Sequence, residues 1–456
     1  MSGYVALNLS ACLATSLLLA VAIWRDRALL LKPSVFVVLF FHLMVQWAAV
    51  ADAEQLYARL PDPWSFALLA QGFPLIGLVL SLSGGRKSLH LIWRRLVRPQ
   101  PTPAHYRRRA VLILATCMAA VLAYFFTVVP LTRTGIYAIL FDPERSSIAR
   151  EESYKLVRDP LLRYSFSFMT AAVAPLLAVL LAERLSESLK PPRPRQALLA
   201  ALGLVGILVA VSPTGARGYP AAVIFAVLLS LYLRRGAPLN VVQILLAGAA
   251  VLALPTLLTV LREGRQLDAR VIWTAFADGI VGRTFHTPME TGFWHVHYAQ
   301  TAGPVGLPGV PKLAVVWGLP PVNVANLIGR RYAINPLDSV SANTAYVFSY
   351  YCYFGVLSFP FSLLALWLLD GILWVYRRLS DAVLLPCVAS VSVASLAFVS
   401  SDYTTVLLTH GLALIPTAAL GLDRLCGGCS PARISLPHHP SNRAAPGLAE
   451  GGRGPL

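Results

Sequence analysis

Arg107-Arg-Arg-Ala-Val-Leu-Ile-Leu-Ala-Thr-Cys-Met-Ala-Ala-Val-Leu-Ala-Tyr-Phe-Phe-Thr-Val-Val-Pro130 decides the fold. Three arginines are followed by 21 residues without a charge. A bilayer core needs about 20 mostly apolar residues per helix, and Lys and Arg beside such a run hold its end on the cytoplasmic side. The rest of the chain repeats the theme. Of 456 residues, 57% are apolar and 13% charged, whereas soluble domains carry roughly 25% charged residues. That balance argues against a water-soluble enzyme. It also argues against a disordered chain, which needs low hydrophobicity. The six cysteines avoid the long polar loops, so no disulfide framework is indicated. The formal charge of +17 does not point to nucleic acid, because the basic residues sit between apolar runs, where topology and anionic lipid account for them.

Eleven apolar stretches qualify as crossings: 3–24, 34–52, 65–83, 110–130, 161–182, 196–213, 219–233, 239–261, 344–372, 382–400 and 403–422. The expected fold is therefore an all-α, polytopic integral membrane bundle of about 11 transmembrane helices, with residues 1–422 as one unit. Alternate connections are basic: 25–32, 86–109, 184–195, 234–235, 377–378 and the tail. Together they hold 23 of the 38 Lys and Arg, which assigns them to the cytoplasm and leaves 15 on the other face. The N-terminus is then outside. The opposite face carries two sizeable loops, 131–160 and 262–343, the second 82 residues long. A loop of that length in a compact protein is usually functional. Its Pro- and Gly-rich sequence suggests an ordered, irregular cap. Residues 423–456, rich in Pro, Gly and Ala, read as a disordered cytoplasmic tail.

The outer arginines are the chemical signal. Arg133, Arg145, Arg150, Lys155, Arg158 and Arg163 cluster in the first loop, and Arg262, Arg265, Arg270 and Arg283 in the second. A guanidinium presents a planar fork that matches phosphate. The bland alternative pairs them with nearby acids such as Asp142, Glu144, Asp159 and Glu263. Thr214-Gly-Ala-Arg217-Gly-Tyr-Pro220 makes a tight reversal that puts Arg217 beside a helix N-terminus, where an anion is favoured; a snorkelling surface arginine is the alternative. Arg283, His286 and Glu290 share a face if their segment is helical, although Pro288 interrupts the pattern. His286 or Glu290 could take a proton from a hydroxyl, or could form an ordinary surface ion pair. His286, His295 and His297 make a poor metal set without a partner motif. Asn343 and Ser341 could cap the ninth crossing, and Tyr350 belongs to an aromatic run suited to the interface, a sugar ring or a prenyl chain. Nucleotide-binding and serine-hydrolase motifs are absent from the sequence.

Three stretches resemble the O-antigen polymerases (Wzy) and related oligosaccharide repeat-unit polymerases. They are Pro130-Leu-Thr-Arg-Thr-Gly135 with Asp142-Pro and Arg150-Glu151; Thr214-Gly-Ala-Arg-Gly218; and Arg283-Thr-Phe-His with Ser341-Ala-Asn343 and Tyr353-Phe-Gly355. Ala216 and Ser358 depart from the family pattern, which usually has Ser and Gly there. The resemblance implies a bacterial inner-membrane glycosyltransferase with a large periplasmic loop. Its substrate would be an undecaprenyl-pyrophosphate-linked oligosaccharide, and a chain-length regulator and a flippase would be its partners. Arg217 and Arg283 match the family's functional arginines and would hold the pyrophosphate, assisted by Arg133 or Arg150. His286 or Glu290 would act as base, Asn343 and Tyr350 would meet the acceptor sugar, and no metal, nucleotide or other cofactor would be needed. An O-antigen ligase is the nearer alternative and a lipid-linked glycan flippase the more distant one. In a variant without native cysteines, a membrane-impermeant thiol reagent should label Arg133→Cys and Arg283→Cys from outside and spare Arg98→Cys. The reverse pattern contradicts the topology.

Overall fold

The computed structural model describes residues 3–142, 159–189, 192–216, 218–235, 268–332 and 341–427, with isolated positions 149, 152, 153, 156, 157, 243, 248, 249, 256, 257 and 260. Among them every regular element is helical. The helices that matter here are, in chain order, α1 (Gly3–Arg25), α2 (Pro33–Ala51), α3 (Pro63–Leu82), α4 (Ala104–Val128), α5 (Pro160–Ser188), α6 (Pro194–Ala210), α7 (Gly218–Arg235), α8 (269–302), α9 (Tyr346–Phe354), α10 (Ser358–Leu369), α11 (Asp381–Val399) and α12 (Leu414–Leu425). Among the described residues, eight helical stretches are long and apolar enough to cross a membrane: α1 to α5, α7, α11 and the run Tyr346–Tyr376 that contains α9 and α10. The chain is an all-helical, polytopic membrane protein.

Local chemistry sets the helix starts. Asp62-Pro63 and Asp159-Pro160 each place a capping carboxylate before a proline in the first turn. Asp62 Oδ1 accepts from Trp64 N at 3.0 Å and Asp159 Oδ1 from Leu161 N at 2.9 Å. Burial then separates centre from rim. In α11, 83% of the apolar window is buried, against 11% in α4, so α11 lies inside the bundle and α4 on its lipid face. α6 turns Leu198, Leu202, Val205 and Val209 outward, an exposed apolar stripe of helical period.

Three expected crossings differ. The sixth is the 17-residue helix α6. The eighth, 239–261, falls almost entirely outside the described residues. The eleventh is split into Tyr403–Leu408 and α12, because the chain passes through a left-handed glycine, Gly411 at φ 82°, between them. The tail boundary also differs. α12 continues to Leu425, and Asp423 is buried, accepting hydrogen bonds from Tyr106 Oη, Ser380 N and Ser380 Oγ. Residues 428–456 lie outside the described set.

The run Tyr346–Tyr376 is not straight. Tyr346 Oη donates to Ser362 O at 2.9 Å, yet a continuous helix would put those residues about 24 Å apart. The chain doubles back at Gly355, φ 62°. α9 thus re-enters the bundle beside α10, and Phe348 packs on Phe41 and Phe66 while Tyr346 meets Phe73 and Phe398. Phe41 and Phe73 sit mid-way along α2 and α3. The sequence put everything up to residue 343 outside; instead the segment leading into α9 reaches the middle of the bundle. The long loop is also more regular than expected, carrying α8 and the short helices Pro311–Val316 and Val324–Tyr332.

The two ends of the bundle differ in charge. At the basic end Lys32 pairs with Asp370 at 3.1 Å, Arg95 with Asp381 at 2.6 Å, Arg234 with Glu183 at 2.9 Å, and Arg107 with Glu187. The basic members of these pairs all come from connections assigned to one side. The opposite end gathers the others, and there two motif stretches meet. Gly135 lies flat on the 214–215 turn, and Ile136 N donates to Pro213 O at 3.1 Å. A Cβ on Gly135 would stand 2.2 Å from Thr214 O, a backbone atom that cannot swing away. Gly135→Ala should therefore destabilise the protein by about 1–3 kcal/mol, read as a lower melting temperature in detergent. Gly206→Ala, where nothing lies within 4 Å, should melt no lower than the parent. Equal melting of the two variants contradicts the close approach.

Candidate functional site at the opposite end of the bundle

α8 carries the third motif. Its middle, Ala277–His286, is a π-helix, and Thr287 N reaches back to Gly282 O. That wider register absorbs Pro288, which falls in the first turn of the α-helical part, so the helix runs on past the proline. The π segment packs against a second π turn, His42–Gln46, in α2. Such bulges recur where proteins place functional side chains.

Arg283 and His286 are exposed and Glu290 is half-buried. His286 Nε2 lies 2.9 Å from Asp52 Oδ2 at the end of α2, a close contact without hydrogen-bond alignment. The side chains of Arg283 and Glu290 have no ion pair or hydrogen bond among the described residues, and the same holds for the Arg133 side chain. Asn343 is tied to this unit: Thr291 Oγ1 donates to Asn343 O at 2.9 Å, and Thr344 Oγ1 to Pro288 O at 3.0 Å. Neither Asn343 nor Ser341 caps α9, whose N-cap is Ala345 without a side-chain bond. The expected cap is replaced by a turn locked onto α8. Arg150 and Arg217 lie outside the described residues.

No family model, curated protein or solved structure matches the chain. The functional reading therefore stands on its own residues.

The structure joins the candidate residues into two units. In one, the 131–135 turn that holds Arg133 docks on the turn that leads to Arg217. In the other, α8 with Arg283, His286 and Glu290 is bonded to the 341–344 segment. Tyr350 belongs to an aromatic group on α9, with ring centroids 5.9 Å from Tyr346, 6.0 Å from Tyr353 and 6.5 Å from Tyr403. The Pro- and Gly-rich loop is laid over this group. Val305 N and Gly306 N donate to the free carbonyls of Cys352 and Tyr353, each at 2.9 Å, and Gly309 lies against the Tyr353 ring.

The other two histidines of the long loop make contacts within the fold. His295 is buried, its Nδ1 is 2.8 Å from Thr291 O, and burial pushes its pKa down to about 4. His297 Nδ1 sits 2.8 Å from Tyr332 Oη; burial and the neighbouring Arg331, which stacks on Tyr298, push its pKa down. Among the described residues no group of three or more His, Cys, Asp or Glu could hold a metal.

Two features were missed in the sequence. Asp52 was read only as the end of a crossing, and it is the partner of His286. A second cluster joins the large loop to the 400–410 region. Lys312 Nζ donates to Thr404 O at 3.0 Å and to Thr409 Oγ1 at 3.5 Å, and burial lowers its pKa while Asp402 nearby opposes the shift. Asp402 Oδ1 in turn accepts from Thr405 N at 3.0 Å and Thr404 Oγ1 at 2.6 Å. The available signal was a lone lysine and a lone aspartate of opposite sign in otherwise apolar surroundings. A wide cavity of about 910 Å³ opens at the other, basic end, among Arg94, Arg95, Arg98 and Tyr106. It contains none of the candidate residues.

His295 gives a pH dependence. Its folded pKa of about 4 lies below the usual 6.5, so the unfolded chain binds more protons between those values. Its contribution is complete above pH 6.5 and is lost as pH falls toward 4, on the order of 3 kcal/mol at the limit. Melting temperature should fall from pH 7 to pH 4.5, and His295→Asn should flatten that slope. An unchanged slope in the variant contradicts the assignment.

Proposed function

We propose that the chain is a membrane glycosyltransferase that polymerises undecaprenyl-pyrophosphate-linked oligosaccharide repeats at the periplasmic face of the bacterial inner membrane. The observation that carries this reading is the position of two unpaired arginines. Arg133 and Arg283, on the two motif units at the end opposite the basic connections, have no side-chain partner among the described residues. Unpaired guanidinium groups where topology rules disfavour arginine call for an anion from outside the protein.

In the proposed reaction the bond between the donor sugar's anomeric carbon and its phosphate oxygen breaks. A bond from that carbon to the acceptor hydroxyl oxygen forms. The hydroxyl proton passes to His286 or Glu290, and the prenyl diphosphate leaves with its negative charge. Arg217 and Arg283, with Arg133 or Arg150, hold the diphosphate where that charge develops. Asp52 keeps the His286 ring in place. Asn343 and Tyr350 meet the acceptor sugar, and the energy comes from the donor's own phosphate bond. The proposed topology has eleven crossings, with α6, 239–261 and the split 403–425 region completing the eight long stretches. The loops 131–160 and 262–343 are periplasmic, α9 dipping back into the bundle.

Purified protein given a lipid-pyrophosphate oligosaccharide should yield a ladder of products on a gel. Arg217→Lys and Arg283→Lys should each lose most of it at normal expression, because a point charge does not replace the fork. Full activity in Arg217→Lys removes that residue from the site. A single transfer to a supplied lipid A core acceptor, without a ladder, makes the protein a ligase instead.

A further inference from the structure

A second site lies at the basic end, on the lipid-facing side of α4, α5 and α6, and it does not depend on the glycosyl-transfer reading. A groove of about 460 Å³ runs between these helices, walled by Val111, Met118, Leu122, Leu177, Leu181 and Ile207. Its floor on α6 is made of small residues. Gly203 lets α6 approach Leu181, where a Cβ would stand 2.7 Å from Leu181 Cδ1, whereas Gly206 opens onto free space. From Leu199 to Ala210 the groove follows α6 for roughly 16 Å, about half of the ~30 Å hydrocarbon core, which is the depth of one leaflet.

The groove continues into a basic hollow. It shares Val111 and Arg184 with a second hollow of about 340 Å³ at the basic end, lined by Arg107, Arg108, Arg193 and Glu187. Four arginines therefore face one carboxylate. Arg107 pairs with Glu187, yet its buried Nε has no hydrogen-bond partner. Arg108, Arg184 and Arg193 form no side-chain ion pair or hydrogen bond among the described residues. This is an apolar slot one leaflet deep, closed by a net-positive mouth at the membrane surface.

We propose that this groove is a binding site for one anionic glycerophospholipid of the cytoplasmic leaflet, an acyl chain in the slot and the phosphate headgroup among Arg107, Arg108, Arg184 and Arg193. Basic pockets between helices on that side of a membrane select anionic headgroups by charge, and the slot supplies the apolar contact that a free phosphate lacks.

Native mass spectrometry of the full-length protein in detergent, with phosphatidylglycerol and phosphatidylcholine of matched chains, tests this. The wild type should retain one phosphatidylglycerol in preference to phosphatidylcholine. Arg184→Gln should weaken that preference about fivefold, and Arg195→Gln, which is not in the mouth, should leave it unchanged. Gly206→Leu should fill the slot and release the lipid; its unchanged helical circular dichroism would show that the fold survives. Inorganic phosphate should not displace the lipid. Equal retention of the two lipids, displacement by inorganic phosphate, retention in Gly206→Leu, or a dimer that occludes the groove and binds no lipid would each overturn the proposal.

Discussion

The constraint beneath this architecture is that hydrocarbon does not hydrogen-bond. Backbone groups must then be paired within helices, and every charge must reach an end of the bundle or a partner inside it. Its consequences are visible residue by residue. Inside, Gln46 Nε2 donates to Thr15 Oγ1 at 3.2 Å and Gln71 Nε2 to Gln46 O at 3.3 Å, while His42 Nδ1 lies 2.6 Å from Gln46 Oε1. Trp47 Nε1 can only donate, and it reaches His42 Nε2 at 3.3 Å. Nε2 is therefore an acceptor, and the proton of the neutral ring sits on Nδ1. His42 and Gln46 are four residues apart on one helix face, and a π turn spans them. The same non-α geometry recurs in α3 and α5, at Leu68–Gly72 and Met169–Val173.

Charge is sorted by the same rule. Ion pairs link the basic connections to one another, which fixes helix ends against helix ends. Across the bundle the 131–135 turn is seated on the 214–215 turn with no space for a side chain between them, and α8 is bonded to the entry of α9. These contacts hold the backbone that carries the candidate arginines while leaving the side chains of Arg133 and Arg283 without acids. In the proposed reaction those cations meet the charge that develops on the diphosphate leaving group.

Much of the fold was legible because crossings need only length and apolarity. Seven of the long stretches follow directly from uncharged runs such as 110–130. The doubling back at Gly355 was not legible. An apolar hairpin and an apolar crossing have the same composition, and only the bond from Tyr346 to Ser362 tells them apart. The break at Gly411 was hidden for the same reason. Within the candidate site, Arg283, His286 and Glu290 could be picked out because charged groups are scarce. The partner of His286 could not, since Asp52 lies far away in the chain and becomes its neighbour only through helix packing. The role expected of Asn343 as a cap failed because tertiary bonds to Thr291 and Pro288 fixed that turn first. Pro288 looked like a helix breaker because the sequence does not announce a π turn.

The central claim is that guanidinium groups at the end of the bundle opposite the paired basic residues grip a prenyl diphosphate. The most direct measurement is equilibrium binding of undecaprenyl diphosphate, without any glycan, to the purified protein and to Arg283→Gln. The account predicts saturable binding to the parent protein, competed by a short-chain soluble prenyl diphosphate and weakened at least tenfold in the variant. Equal affinity in the two proteins would contradict it.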